Sequence, residues 1–128
     1  MGASNRNAGA LIVEDEPLVA LYVESVMSDL GFTEIRVAHD LETAEALLAE
    51  ITPEVAVLDV NIGSSLVFPI AESLRARGVP LVFSTGRART ELPPEWEPYS
   101  ILPKPLDPAE LECVLEGLGV LAPPAREA

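Results

Sequence analysis

Basic residues are scarce in this sequence: 8 Lys and Arg stand against 21 Asp and Glu, for a formal net charge of −13. Such a chain repels phosphate backbones and anionic lipid, which excludes DNA or RNA as a direct partner and argues against a membrane surface. The single cysteine, Cys113, cannot build a disulfide framework and suits a reducing cytoplasm. With one histidine, His39, beside it, the usual zinc ligand sets cannot be assembled. No apolar run reaches the length of a membrane span. The N-terminus lacks the basic-then-apolar pattern of a secretory signal. Met1-Gly2 is followed at position six by Arg6 rather than Ser or Thr, so a myristoylation signal is incomplete. A G-x-G-x-x-G dinucleotide fingerprint is also missing.

What is present is a chain of 128 residues, 48% hydrophobic, enough for one compact domain with a core. Residues 1–9 read as a lead-in, 10–119 as the domain and 120–128 as a tail containing Pro123-Pro124. Strand and helix signals alternate between them. Ala10 to Val13 is a short apolar run of the kind a buried parallel strand shows. Pro17 suits the first position of a helix whose predicted buried stripe is Val19, Tyr22, Val23, Val26 and Leu30, ended by Gly31. Ile35 to Ala38 is a second strand. Asp40 caps a helix with Ala44, Leu47, Leu48 and Ile51 inward. Val55 to Leu58 is a third strand, and the helix after it buries Val67, Ile70, Ala71 and Leu74. Pro69 is tolerable there in the first turn. Val79 to Phe83 and Ile101-Leu102 are the fourth and fifth strands. Pro93, Pro94 and Pro98 interrupt the stretch between them, which predicts a short or irregular fourth helix over Glu91 to Tyr99. Asp107, Pro108 and Glu110 predict a capping box for the last helix, with Leu111, Val114, Leu115 and Leu118 on its buried face. Cys113 sits beside those core positions and reads as structural. Trp96 falls in the proline-rich loop, and His39 reads as a surface loop residue.

Five strands alternating with helices predict an α/β, doubly wound parallel sheet covered on both faces. In such sheets the functional site lies beyond the carboxyl ends of the strands. Strand one ends in Glu14-Asp15, strand three in Asp59, strand four in Ser84-Thr85-Gly86 and strand five in Pro103-Lys104-Pro105. All the polar candidates therefore fall on one edge. At about 4 Å two carboxylates repel by about 4 kcal/mol at an effective dielectric of about 20, so the cluster calls for a counter-ion. Mg²⁺ takes oxygen ligands, keeps waters and leaves room for phosphate oxygens. A carboxylate can itself attack phosphorus to give an aspartyl phosphate. Lys104 offers a second cation, Thr85 a hydroxyl, and Gly86 a backbone that can come close to a ligand.

Taken together, Leu11-Ile12-Val13-Glu14-Asp15-Glu16-Pro17, Val57-Leu58-Asp59, Ser84-Thr85-Gly86 and Lys104-Pro105 resemble the receiver domain of bacterial response regulators, over residues 9–119. The resemblance implies a flavodoxin-like sheet in the order 2-1-3-4-5. It implies a phosphoryl group accepted on Asp59 from a sensor histidine kinase or a histidine phosphotransfer protein. Mg²⁺ would be ligated by Asp15, Asp59 and the backbone carbonyl of Asn61, with Glu14 acting through a metal-bound water. Lys104 and Gly86 would contact the phosphoryl group, Thr85 would swing toward it, and Lys104-Pro105 would be cis. The chain departs from the family pattern at Val60 to Ser65, where a Met-Pro and later an Asp-Gly turn are usual, and at Ile101, where an aromatic switch residue is usual. Phe83-Ser84-Thr85-Gly86 is similar to the Phe-x-Thr-Gly signature of an alphaproteobacterial subgroup, with Arg87 in place of its aromatic. Arg87 would either contact the phosphoryl group or a neighbouring acid, or stand exposed.

With only a short stretch after the last helix, an output domain is not expected. A stand-alone, cytoplasmic, non-enzymatic switch is therefore expected, as monomer or weak homodimer. It would signal through a downstream protein partner or act as a phosphoryl shuttle or sink. The predicted partner face comprises the Arg87–Tyr99 segment, the fifth strand and the Leu111–Leu118 helix. A receiver that signals without phosphorylation is the alternative, opposed by the complete set of site residues. A flavodoxin would not place Glu14-Asp15-Glu16 against a phosphate, and a haloacid-dehalogenase-type phosphatase would have a second Asp at position 61.

Overall fold

Ala10–Val13 is buried at all four positions and forms β1 in the computed structural model, which describes residues 9–86 and 92–121. There follow α1 (Pro17–Asp29), β2 (Ile35–Ala38), α2 (Leu41–Leu48), β3 (Val55–Asp59), β4 (Asn61–Ile62), β5 (Ser65–Leu66), α3 (Phe68–Ala76) and β6 (Leu81–Thr85). A 3-10 turn (Pro94–Trp96), β7 (Ile101–Pro103) and α4 (Pro108–Gly117) complete the order. Five strands pair in parallel as β2-β1-β3-β6-β7. With β6 and β7 as the fourth and fifth long strands, this is the expected order 2-1-3-4-5. The fold is a doubly wound, flavodoxin-like α/β sheet.

Side chains alternate across a strand, and the sheet sorts them into two cores. Leu11, Val13, Ala56, Leu58, Leu81 and Phe83 face α2, α3 and the 3-10 turn. Ala10, Ile12, Val55, Val57, Val82 and Leu102 face α1 and α4. Both faces are covered, which explains why the strands read as continuous apolar runs.

Several expectations shift. Strand β6 begins at Leu81 rather than Val79, and it runs on through Ser84 and Thr85. Pairing decides this: Asp59 stands beside Ser84 and Thr85 beside Pro103, so the neighbouring strands carry β6 two residues further. On α1 the buried residues are Ala20, Val23, Val26 and Met27. Tyr22 is instead exposed, because its hydroxyl reaches out to donate to the Leu106 carbonyl at 2.8 Å. Cys113 is exposed, since α4 turns only Leu111 and Leu115 fully inward. The α4 cap is one-sided: Asp107 Oδ1 accepts from the Ala109 N–H at 3.0 Å, with no return bond from Glu110. Asp40 caps α2 as expected, accepting from the Thr43 N–H at 2.7 Å, and that bond holds its carboxyl below the ordinary value. Val120 and Leu121 pack against the α1–α4 core although they read as tail.

Between β6 and β7 the described residues form no α-helix. The 3-10 turn stands there, and Trp96 within it is buried rather than looped out. Arg87 and the rest of 87–91 lie outside the described residues, as do 1–8 and 122–128. No helix among the described residues is long and apolar enough to cross a membrane.

Candidate functional site

The carboxyl ends of β1, β3, β6 and β7 bring the polar candidates together, as expected of an open parallel sheet. Glu14 continues the alternation of Ala10 and Ile12, Asp59 that of Val55 and Val57, and Lys104 that of Leu102. All three therefore project on the α1–α4 side of the sheet. Lys104 leaves β7 and reaches past β6, where Ser84 is small, to β3 and β1. Its Nζ lies 2.9 Å from Asp59 Oδ2 and 2.9 Å from Glu14 Oε1. Glu14 and Asp59 are 3% and 5% exposed, so this cation is shared by two buried carboxylates.

Asp15 completes the acidic set. Glu14, Asp15 and Asp59 each offer an oxygen within 4.8 Å of the others, and Asp15 is the most open to solvent. Backbone donors hold one oxygen of each. The Glu16 N–H donates to Glu14 Oε2 at 3.1 Å, the Asn61 N–H to Asp59 Oδ1 at a long 3.3 Å, and the Gly63 N–H to Asp15 Oδ2 at 2.7 Å. Gly63 belongs to a feature that the sequence pattern did not reveal. Asn61 and Leu66, with Ile62 and Ser65, pair antiparallel as a hairpin closed by Gly63-Ser64. Gly63 takes φ +59°, and glycine at the first position of a two-residue loop suits a hairpin. The glycine was a usable signal, but the strands are too short to show a period.

One cation against three acids leaves negative charge in surplus. Burial, together with the Asp59 charge, pushes the Glu14 carboxyl above its ordinary value despite the Lys104 bond. Burial works against the Lys104 ammonium as well, but the bonds and charges of Glu14 and Asp59 outweigh it, and Lys104 is held above its ordinary value. The surplus thus falls on Glu14, while Lys104 stays charged.

Thr85 is buried at the same edge, and its carbonyl accepts from the Lys104 N–H at 3.0 Å. The Lys104-Pro105 bond is cis. Gly86 is exposed, and a Cβ there would meet nothing within 4 Å, so space beside it is open to a ligand. His39 is exposed and touches only backbone of the acidic set, its Nδ1 lying 3.0 Å from the Glu14 carbonyl. Beside Lys104 a cavity of about 450 Å³ runs along α1, lined by Leu18, Val19, Tyr22, Val23, Ser84 and Leu106 among others.

Beneath this edge lies a cluster that the sequence did not foretell. Phe83, two residues before Thr85, meets Phe68, Trp96 and Tyr99 at ring-centroid distances of 5.8, 5.5 and 6.2 Å. Arg75 stacks over the Trp96 ring at 4.4 Å.

Residues 10–116 match the family model described as the response regulator receiver domain. The chain is 32% identical over 109 residues to the phyllosphere-induced regulator PhyR of Methylorubrum extorquens, an alignment that takes in 82% of this chain and 41% of that regulator. It thus spans less than half of that relative's length. Among solved structures it is similar to SdrG from Sphingomonas melonis Fr1, with a TM-score of 0.77 and 32% identity over 88% of this chain and 96% of that one. The BeF3-activated conformation of SdrG from Pseudomonas melonis Fr1 matches with a TM-score of 0.70 and 30% identity, covering 91% and 98% of the two chains. The chain belongs to the response regulator receiver domain family.

Proposed function

We propose that this receiver domain accepts a phosphoryl group on Asp59 from the phosphohistidine of a sensor histidine kinase or a phosphotransfer protein. One observation carries the reading: Lys104 Nζ is 2.9 Å from Asp59 Oδ2 at the end of a buried strand, where an aspartate needs a reason to be. An Asp59 oxygen attacks phosphorus, the P–N bond of the donor imidazole breaks, and its electron pair stays on the imidazole nitrogen. Lys104 offsets charge on the phosphoryl oxygens, the Thr85 hydroxyl donates to one of them, and Gly86 lets the backbone approach.

Mg²⁺ fits the donor set, because three carboxylates lie within 4.8 Å of one another and a single ammonium, shared by two of them, stands against them. Asp15, Asp59 and the Asn61 carbonyl would hold it, with Glu14 through a water. When bound it would supply positive charge against the acidic surplus and toward phosphoryl oxygens. SdrG has a BeF3-activated conformation, and trifluoroberyllate mimics a phosphoryl group on a carboxylate, which supports the same role here. The domain would then act in the cytoplasm as a switch, shuttle or sink, passing its state to a protein partner across the face formed by residues 92–99, β7 and α4.

Incubation with acetyl phosphate and Mg²⁺, followed by intact-mass measurement, tests this. The protein should gain one phosphoryl mass, dependent on Mg²⁺ and lost in Asp59→Asn. A gain that survives in Asp59→Asn, or no gain from acetyl phosphate or from any histidine kinase, would overturn it.

A further inference from the structure

Asn61 to Leu66, just after the acceptor strand, folds into the β4–β5 hairpin. The three acids of the site are each held by one backbone N–H, but not from equivalent places. For Glu14 and Asp59 the donor is two residues along the chain, at 3.1 and 3.3 Å. For Asp15 it comes from the hairpin, 48 residues away, at 2.7 Å. This is the shortest of the three, within the range of a charge-assisted bond. Lys104 bridges Glu14 and Asp59 and leaves Asp15 aside. Asp15 is also the acid most open to solvent. Its Oδ1 carries no hydrogen bond among the described residues.

We propose that Gly63 is a positioning residue for the divalent cation. Its N–H fixes Asp15 by Oδ2 and leaves Oδ1 as the oxygen available to the metal. The inference rests on the metal reading above. It gives the hairpin a role, since the Gly63-Ser64 loop, with Gly63 at φ +59°, aims one amide at a carboxylate beyond the end of another strand. Partners behind metal ligands commonly govern affinity by about tenfold or more.

Two readouts separate this from a purely structural role. In the metal-free protein, amide exchange followed by NMR should find Gly63 protected, and unprotected in Asp15→Ala. Calorimetric titration with Mg²⁺ should then find Gly63→Pro, which removes the donor, weaker than wild type by about tenfold or more. Gly63→Asn keeps the N–H, asparagine tolerates φ +59° better than other side chains, and its Cβ meets nothing within 4 Å, so it should bind within about threefold of wild type. Gly78→Pro is the control. It removes another positive-φ glycine and another backbone donor, to the Arg75 carbonyl at 3.0 Å, at the far end of α3, and should leave Mg²⁺ affinity unchanged. Wild-type affinity in Gly63→Pro, or a Gly63 amide equally exposed in wild type and Asp15→Ala, would overturn the proposal. Wild-type protein that binds no Mg²⁺ would overturn the metal reading and the proposal with it, and a protected Gly63 amide would then mark the bond as structural. The exchange measurement does not depend on the proline variants folding.

Discussion

Strand β6 supports two regions of opposite character. At its end, Ser84 and Thr85 border an edge where three carboxylates gather around one ammonium that two of them share. Two residues back, Phe83 anchors an aromatic cluster with Phe68, Trp96 and Tyr99. The aromatic region is stable by ordinary means, through apolar burial and edge-on ring contacts. Its polar fault is Trp96 Nε1, buried without a hydrogen-bond partner among the described residues, a cost of about 1–3 kcal/mol. The acidic edge is the reverse: its bonds are good, but its charge is unbalanced by the residue types that meet there. The contrast shows stability and chemistry separated by a short step along one strand.

The largest expected effect breaks the aromatic side. Trp96→Ala should cost about 3–5 kcal/mol in urea denaturation, because the ring is fully enclosed. Trp96→Phe keeps an aromatic and removes the orphaned N–H, so it should cost well under half as much. Equal losses in the two variants would refute this account of the cluster.

A smaller effect is expected where Lys104 is removed. Lys104→Met leaves two buried carboxylates without their cation and should cost about 3 kcal/mol at pH 7 in a metal chelator. The loss should shrink as pH falls toward 5, since the folded variant then takes up protons more readily than the unfolded chain. A pH-independent loss would mean that packing, not charge, is what Lys104 contributes.

The smallest effect sharpens the contrast by sign. The Glu14 carboxyl sits above its ordinary value of 4.5 in the folded protein. An acid raised in this way binds its proton more tightly when folded, so stability is lost as pH rises from about 4.5 through the folded value. Glu14→Gln should therefore leave metal-free stability at pH 7 unchanged or higher, and lose less stability than wild type on going from pH 4.5 to pH 7. Thermal melts at both pH values decide it, and a clear destabilisation at pH 7 would reverse the assignment of surplus charge to Glu14.

Much of the fold was legible in the chain. Apolar runs, caps at Asp40 and Asp107, and prolines at helix starts are local signals, and they placed the long strands and helices within about three residues, Ile51 falling beyond the end of α2 because the chain turns at Ala49-Glu50. They also placed Glu14, Asp15, Asp59, Thr85 and Lys104 on one edge, because a strand's end follows from its own residues. The β4–β5 hairpin escaped, being two residues per strand. Tyr22 misled for a different reason: its spacing fits the buried stripe, but its hydroxyl found a carbonyl at the rim.

The sequence by itself therefore determined which long elements form, how they alternate, and which polar residues gather at the site, since periodicity and capping act over a few neighbouring residues. Only the tertiary structure decided that Lys104 is shared by Glu14 and Asp59, that Gly63 holds Asp15, and that Trp96 closes a core where a helix was in doubt. Those contacts join residues far apart in the chain, and no local pattern records how two distant surfaces meet.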